Sequence, residues 1–557
     1  MPDSLQLKET KLNGFLLILI VAVLVIQLHL QFVQKINWDE FYFLSLVYDH
    51  QRGDLAKPLQ TAHVHFFGWL KYISPNEVSQ IIAARFVMWV FQLGTLYFIY
   101  KTSREFISRG AALFAVLSFL GFGFIFIHGT SFRADPMAAF FMTAAVYIFT
   151  ATDLKLKYLI ALTISLALGF LITVKVIFFA PLFLSLAFWR LAKTEVKRAL
   201  FIKLAVTAIA LLILIGFGYL FQLSQMAESD LLGSKDMLRS AGRTTLFSGD
   251  LFPRGRFILQ HFRYGLISTF MMCIGFVFIL KDFIKKPPER NKLLILLAMG
   301  LPILSLIFYR NAFPYFFAFI FPSVIIWAGY GAERLKKIPL LFGALSVALT
   351  TSTFMGMQYK HRLKENKTVQ YETLEELHRI FPEPVNYIDR SSMMASVPKS
   401  GFFMSTWGLT NYKNKNQPVL ELAMRRDLIP VVIDNSPEIN RALIIGDIES
   451  QLLQKDQVAL RDNYIHYWGH IWIAGKELNL SSKETSFNNL VPGTYRLESD
   501  YPITMNGHRY DGGELVTLPR GTYHITSKDP QDISLRWGEN ITPPERPEPL
   551  RPIFTKF

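Results

Sequence analysis

The sequence has a single cysteine, Cys273, among 557 residues. No disulfide can form within the chain, so any part that folds outside the cell rests on its apolar core alone. Charge is also scarce: 18% of residues are Asp, Glu, Lys or Arg, against 51% hydrophobic and 14% aromatic. With a mean hydropathy of +0.28, those proportions exclude an ordinary soluble domain and indicate a polytopic membrane protein. Acids are scarcer than bases, 43 against 58, for a formal charge of +15. Most of the cations flank apolar segments, where they orient helices and meet anionic lipid, so no nucleic-acid partner is expected. Also missing is a small-residue cleavage site behind the first apolar run, which therefore reads as a retained anchor.

What the chain has in abundance is apolar runs long enough to cross a hydrocarbon core of roughly 30 Å, about eleven of them. They lie near 13–33, 79–100, 111–128, 136–151, 157–174, 176–190, 202–221, 264–280, 292–309, 313–331 and 338–357. Every second gap is short and basic (KTSREFISR, TDLKLK, RLAKTEVKR, KDFIKKPPERNK, ERLKK), which assigns those gaps to the cytoplasm. The alternate gaps, including the loops 34–78 and 221–263, then face outward, although the second carries Lys235, Arg239, Arg243, Arg254 and Arg256. The odd helix count sends the C-terminal part outward too. The expected organisation is thus a membrane domain over 1–357, an extracytoplasmic α/β region over 358–466 and a β-rich, sandwich-like region over 467–557. Within the α/β region YETLEELHRIF has helical spacing, and PVVIDN and RALIIGD read as buried strands. In the last region NLVPGTYRLES and TLPRGTYHITS resemble each other and read as two hairpin edges. Tyr495 and Tyr523 in them suit packing first and a carbohydrate surface second.

Two carboxylates side by side, Asp39 and Glu40 in KINWDEFYFL, stand at the lipid boundary just beyond the first run. Either could cap a helix. Adjacent helical residues point about 100° apart, so at most one of them addresses a small site. A third acid, Asp135 in SFRADPM, precedes Pro136 at the start of another apolar run, again in a capping context. The topology places all three at one membrane surface, more than capping requires, and ionisable groups at membrane helix ends are functional candidates. Lys175 and Arg310 fall in turns at the same level. Carboxylates facing cations suit one displacement, in which a hydroxyl attacks a sugar carbon while a phosphate leaves; the carboxylate takes the proton and the cations hold the growing negative charge.

In order along the chain, the W-D-E of the first outer loop, GDLAKPLQTAHVHFFGWL, FRADP, GFLITVKV and RNAFPYFFAFIFP resemble the GT-C glycosyltransferases of the protein O-mannosyltransferase and lipid A aminoarabinose transferase type. The likeness covers roughly the first 330 residues and rests on order and spacing rather than on any one element. It implies a GT-C membrane fold and a sugar donor carried on a polyprenyl phosphate. It further implies that Asp39 is the base or acceptor-binding carboxylate and that Asp135 shapes the same cavity, with Glu40 as the neighbouring acid. For the donor phosphate it points to Arg310, Lys175, Arg256 and Arg263. The implied acceptor is an envelope glycolipid, glycan or protein, with membrane lipid as a second partner and the inner membrane as location. The first loop departs from the aminoarabinose branch, holding only Lys57-Pro58 followed by His63 and His65, so neither lipid A nor aminoarabinose follows from the likeness. Two histidines at i and i+2 point apart in a helix; no metal site or cofactor is expected, while a divalent ion is compatible with them and an acid. The competing function class is a membrane transporter or lipid flippase with an outer sensing domain, which would carry midplane charges and matched halves.

Overall fold

The computed structural model describes residues 2–57, 60–227, 250–335, 340–365, 367–444, 450–481, 483–539 and 541–554. The chain divides into two compact units. One comprises Met1–Gln34, His50–Leu70 and Ile82–Glu365; the other comprises Lys35–Asp49, Lys71–Ile81 and Asn366–Phe557.

The first unit is helical, and each apolar run found in the sequence coincides with one or more helices among the described residues. Seven helices are long and apolar enough to cross a membrane among the described residues, or eight with the bent pair Phe316–Val324 and Ile326–Arg334. Several runs are broken. The 111–128 stretch divides into Arg109–Leu120 and Gly123–His128, and the 292–309 stretch into Arg290–Ala298 and a 3₁₀ turn, Leu301–Ile307, opened by Pro302. Pro322 lies inside Phe316–Val324, which bends 41° into the following helix, because proline removes a backbone donor and crowds the preceding turn.

Outward, the helix Lys197–Ser224 exposes Phe201, Ile209, Leu212 and Phe217, an apolar surface suited to lipid. Inward, packing is close: a Cβ on Gly275 would meet the Trp327 carbonyl oxygen at 1.8 Å, so Leu266–Lys285 and Ile326–Arg334 approach at a contact only glycine allows. This is a multi-pass membrane bundle.

The second unit is α/β, with two sheets. Strands β1 (Tyr387–Ile388), β2 (Val431–Ile433), β4 (Ile471–Leu480), β11 (Gln531–Trp537), β6 (Gly493–Glu498) and β9 (Leu515–Leu518) lie side by side in that order. β3 (Tyr464–Trp468) also pairs with β4. β1 and β2 are parallel and the other pairings are antiparallel, so the α/β and β-rich regions share one seven-stranded sheet. The second sheet runs β5 (Thr485–Asn489), β10 (Gly521–Ser527), β7 (Ile503–Met505) and β8 (His508–Tyr510). Alternation explains the strands: in β11, Gln531, Ile533 and Leu535 are buried while Asp532 is exposed. Leu535 faces Leu497 across the ladder, both fully buried, and truncating either to alanine costs about 2–5 kcal/mol.

Two expectations change here. RALIIGD was read as a strand, but Pro437–Ile444 is a helix that buries Ile439, Ala442 and Leu443 at helical spacing; a short apolar run fits either period until neighbours choose. Residues 445–447 of that run lie outside the described residues. The two related segments are inner strands of different sheets rather than hairpin edges, β6 between β11 and β9 and β10 between β5 and β7. Their tyrosines pack: Tyr495 is buried with its hydroxyl donating to Val491, and Tyr523 stacks on Phe487 and donates to Pro519.

Candidate functional site

In the membrane unit the site begins with the first turn of Ala134–Ala151. Arg133, with extended backbone, is the N-cap residue and makes no side-chain cap bond. Asp135 is therefore not the cap; it stands in the first turn, where the helix dipole favours an anion. The 3₁₀ turn Val174–Phe179, opened by Thr173 accepting the Lys175 amide at 3.4 Å, delivers Lys175 to it. Lys175 Nζ lies 2.5 Å from Asp135 Oδ1 and Arg133 Nε lies 3.6 Å from Oδ2, with all three side chains buried. One carboxylate thus lies between two cations, all three groups out of water. Tyr315 completes the group: the Arg133 guanidinium sits 3.4 Å from its ring centre and Lys175 Nζ 5.4 Å.

RNAFPYF thus brings Tyr315, rather than Arg310, to the acid. Arg310 is half-buried, and its carbonyl accepts a bond from Arg254 Nε at 3.1 Å, while the Arg254 guanidinium lies 4.4 Å from the Phe313 ring. Arg256 and Arg263 are exposed on the helix Gly255–Tyr264. Of the expected cations, Lys175 alone is joined to Asp135 by an ion pair among the described residues.

Beside this centre lies a cavity of about 790 Å³ lined by Met137 and Val174, close sequence neighbours of Asp135 and Lys175, and by Phe66, Phe141, Leu171 and Phe221. His63 and His65 border it but serve different partners. His65 Nε2 is 2.7 Å from Gln222 Oε1, and His63 packs on Phe132. No group of three or more His, Cys, Asp or Glu side chains is placed to hold a metal among the described residues. Of the Lys57-Pro58 pair, Lys57 accepts a bond from the Thr61 hydroxyl through its carbonyl, and Pro58 lies outside the described residues.

The helix Trp38–Arg52, whose residues up to Asp49 belong to the second unit, separates the paired acids. Asn37 caps it: its side chain accepts the Asp39 amide at 3.0 Å, and Glu40 Oε1 reaches back to accept the Asn37 amide at 3.0 Å. That is a reciprocal capping box, with Asn37 and Glu40 as its two ends. Glu40 is fully buried in that role, whereas Asp39 is half-buried on a different face.

One neighbour of this helix has no signal in the sequence. Arg390, at the carboxyl end of β1, lays its guanidinium 3.9 Å from the Trp38 ring centre and 3.6 Å from Glu438. Burial lowers its pKa, and the charges of Glu438 and Asp39 act in the opposite direction. The backbone around it is fixed, since Arg390 donates its amide to Asn435 and its carbonyl accepts from Lys399 and Met404. Phe403 stacks on Tyr42 at 4.4 Å and finishes the aromatic setting of the helix start.

No protein-family model matches the sequence, and no curated protein matches it. Solved structures do. ArnT from Cupriavidus metallidurans, solved bound to undecaprenyl phosphate, superposes with a TM-score of 0.54 at 12% identity, covering 77% of this chain and 94% of its own. The Archaeoglobus fulgidus oligosaccharyltransferase, in complex with Zn and sulfate, superposes with a TM-score of 0.52 at 13% identity, covering 95% of this chain and 98% of its own. The chain shares the fold of these two solved structures. Within this fold, Arg133 was legible in FRADP, one cation two positions before an acid at a helix start. Arg254 and Tyr315 carry no comparable local signal, and Arg390 none at all.

Proposed function

We propose that the protein is an integral-membrane glycosyltransferase that moves a sugar from a polyprenyl-phosphate donor to a hydroxyl of an envelope glycolipid, polysaccharide or protein. The reaction runs on the outer side of the membrane. The observation that carries this reading is Lys175, held by Asp135 at 2.5 Å beside an apolar cavity of about 790 Å³. A phosphate needs fixed cations, and a polyprenyl tail needs an apolar groove that water does not fill. The GT-C fold supports the same reaction class.

The step is a single displacement. The acceptor oxygen forms a bond to the anomeric carbon, the bond from that carbon to the phosphate oxygen breaks, and the acceptor proton passes to the Asp39 carboxylate. Polyprenyl phosphate leaves with the electron pair. Lys175 and Arg133 stabilise the charge gathering on it, and Asp135 orients both cations without acting as the base. Arg310, Arg256 and Arg263 are further cations on outer segments that attract the phosphate. Glu40 holds the helix that carries Asp39. Every role here falls to a side chain of the protein itself, and one base suffices for one displacement.

The test supplies purified protein in liposomes with either a nucleotide sugar or a polyprenyl-phosphate sugar, and a membrane extract as acceptor. Transfer is expected only from the lipid-linked donor. Transfer from the nucleotide sugar with no lipid carrier present overturns the reading.

A further inference from the structure

At the end of the bundle opposite Asp135 is a second cavity. The helix Ala134–Ala151 has 18 residues, so Asp153, just beyond its C-terminus, stands about 27 Å from its start. There a space of about 480 Å³ is lined by Asp153, Arg190, Lys193, Thr194, Lys203 and their apolar neighbours. Three cations face one acid, and that acid already pairs with Lys155 at 2.6 Å. Arg190 is anchored: Nε donates to the Phe149 carbonyl at 2.8 Å and Nη2 to the Thr152 carbonyl at 2.7 Å, both in the last turn of Ala134–Ala151 or just past it. One cation is thereby fixed before any ligand arrives, so little side-chain freedom is lost on binding. The two lysines are different. Lys193 lies 5.1 Å from the Trp189 ring centre, Lys203 is exposed, and neither has a polar side-chain partner among the described residues.

The surroundings name the ligand class. Arg190 and Lys193 both flank Trp189, an amphipathic ring of the kind that settles at a membrane–water boundary. The two helices that supply its cations, Ala180–Lys193 and Lys197–Ser224, also expose Leu184, Phe188, Phe201 and Ile202, an apolar surface suited to acyl chains. The basic loops TDLKLK and RLAKTEVKR themselves line the cavity, through Asp153 and Leu154 and through Arg190, Lys193, Thr194 and Val196. A pocket of mixed polar and apolar lining with excess positive charge, on helices that also expose apolar side chains, suits a phosphate diester with two tails. We propose that this cavity is a binding site for the headgroup of an anionic phospholipid, separate from the transfer site and independent of the reaction proposed above.

The experiment reconstitutes the full chain in vesicles of phosphatidylcholine, alone or with about one-fifth phosphatidylglycerol, and counts retained lipid by native mass spectrometry after detergent extraction. Wild-type protein is expected to keep phosphatidylglycerol in preference to phosphatidylcholine. The double variant Lys193→Gln, Lys203→Gln should lose that preference by about tenfold, with an unchanged thermal midpoint in pure phosphatidylcholine. Inorganic phosphate should not displace the lipid. Equal retention by wild type and variant overturns the proposal, and so does displacement by inorganic phosphate, which makes the cavity a free-anion site. Should the double variant not fold, Lys203→Gln alone decides: a few-fold loss of the preference supports the site and an unchanged preference overturns it.

Discussion

Two neighbouring carboxylates in one short stretch have different tasks, and their bonds separate them. Glu40 closes a capping box on Asn37 and is sealed from water, while Asp39 uses only its backbone amide in that cap. Asp39→Asn removes the proposed base and leaves the capping bonds in place, so turnover should fall roughly a hundredfold or more with the protein still folded. Glu40→Gln keeps an oxygen that can accept the Asn37 amide, so the cap should survive and the folded protein turn over within a few-fold of wild type. Kinetics and thermal melts on both variants check the pair, and a dead Glu40→Gln beside an active Asp39→Asn reverses the assignment. The capping pattern was legible, since Asn37 and Glu40 stand three apart at a helix start. Arg390 was not, because its partner Trp38 lies at the far end of the chain and is reached only through the folded unit.

At the level of elements, the helix Thr368–Ile380 is tied to the segment Lys71–Ile81 within the second unit. His378 Nε2 lies 2.9 Å from Glu77 Oε2, and the other Glu77 oxygen accepts from the Ser396 hydroxyl at 2.6 Å. Burial lowers the His378 pKa, but the hydrogen bond and charge of Glu77 outweigh it and leave the group above its usual 6.5. A histidine raised in the folded state binds its proton more tightly there than in the unfolded chain. Its stabilisation is therefore full below pH 6.5 and is lost as pH rises through the higher folded value. The thermal midpoint of the full chain should decline across that window, and His378→Gln should flatten the decline; an identical slope in the variant refutes the linkage. The same scale shows why helix existence was easier to read than continuity. Apolar length reveals a run, whereas a break at Pro302 or a 41° bend at Pro322 depends on which neighbours take over the freed backbone groups.

For the whole molecule, alternating basic gaps predict that 358–557 lies outside and the loop near 281–292 inside. A C-terminal reporter active only outside the cytoplasm is the expected result, and one active only inside it reverses the orientation. Composition alone determined that the chain lives in a membrane, because a sequence half hydrophobic and short of charge cannot be kept in water. Apolar runs determined the helical bundle, and the order of W-D-E, FRADP and GFLITVKV carried a resemblance to the GT-C glycosyltransferases and singled out Asp135 and Lys175 as candidates. Only the tertiary structure decided that these two are one buried pair at 2.5 Å, that Arg133 and Tyr315 join them, and that Glu40 caps while Asp39 does not. It also moved RALIIGD from strand to helix and joined the two parts of the C-terminal region through the β2–β4 ladder. The physical reason is range: burial and helical period are properties of neighbours in sequence, whereas a charge finds its partner by packing that brings together residues with no local relation.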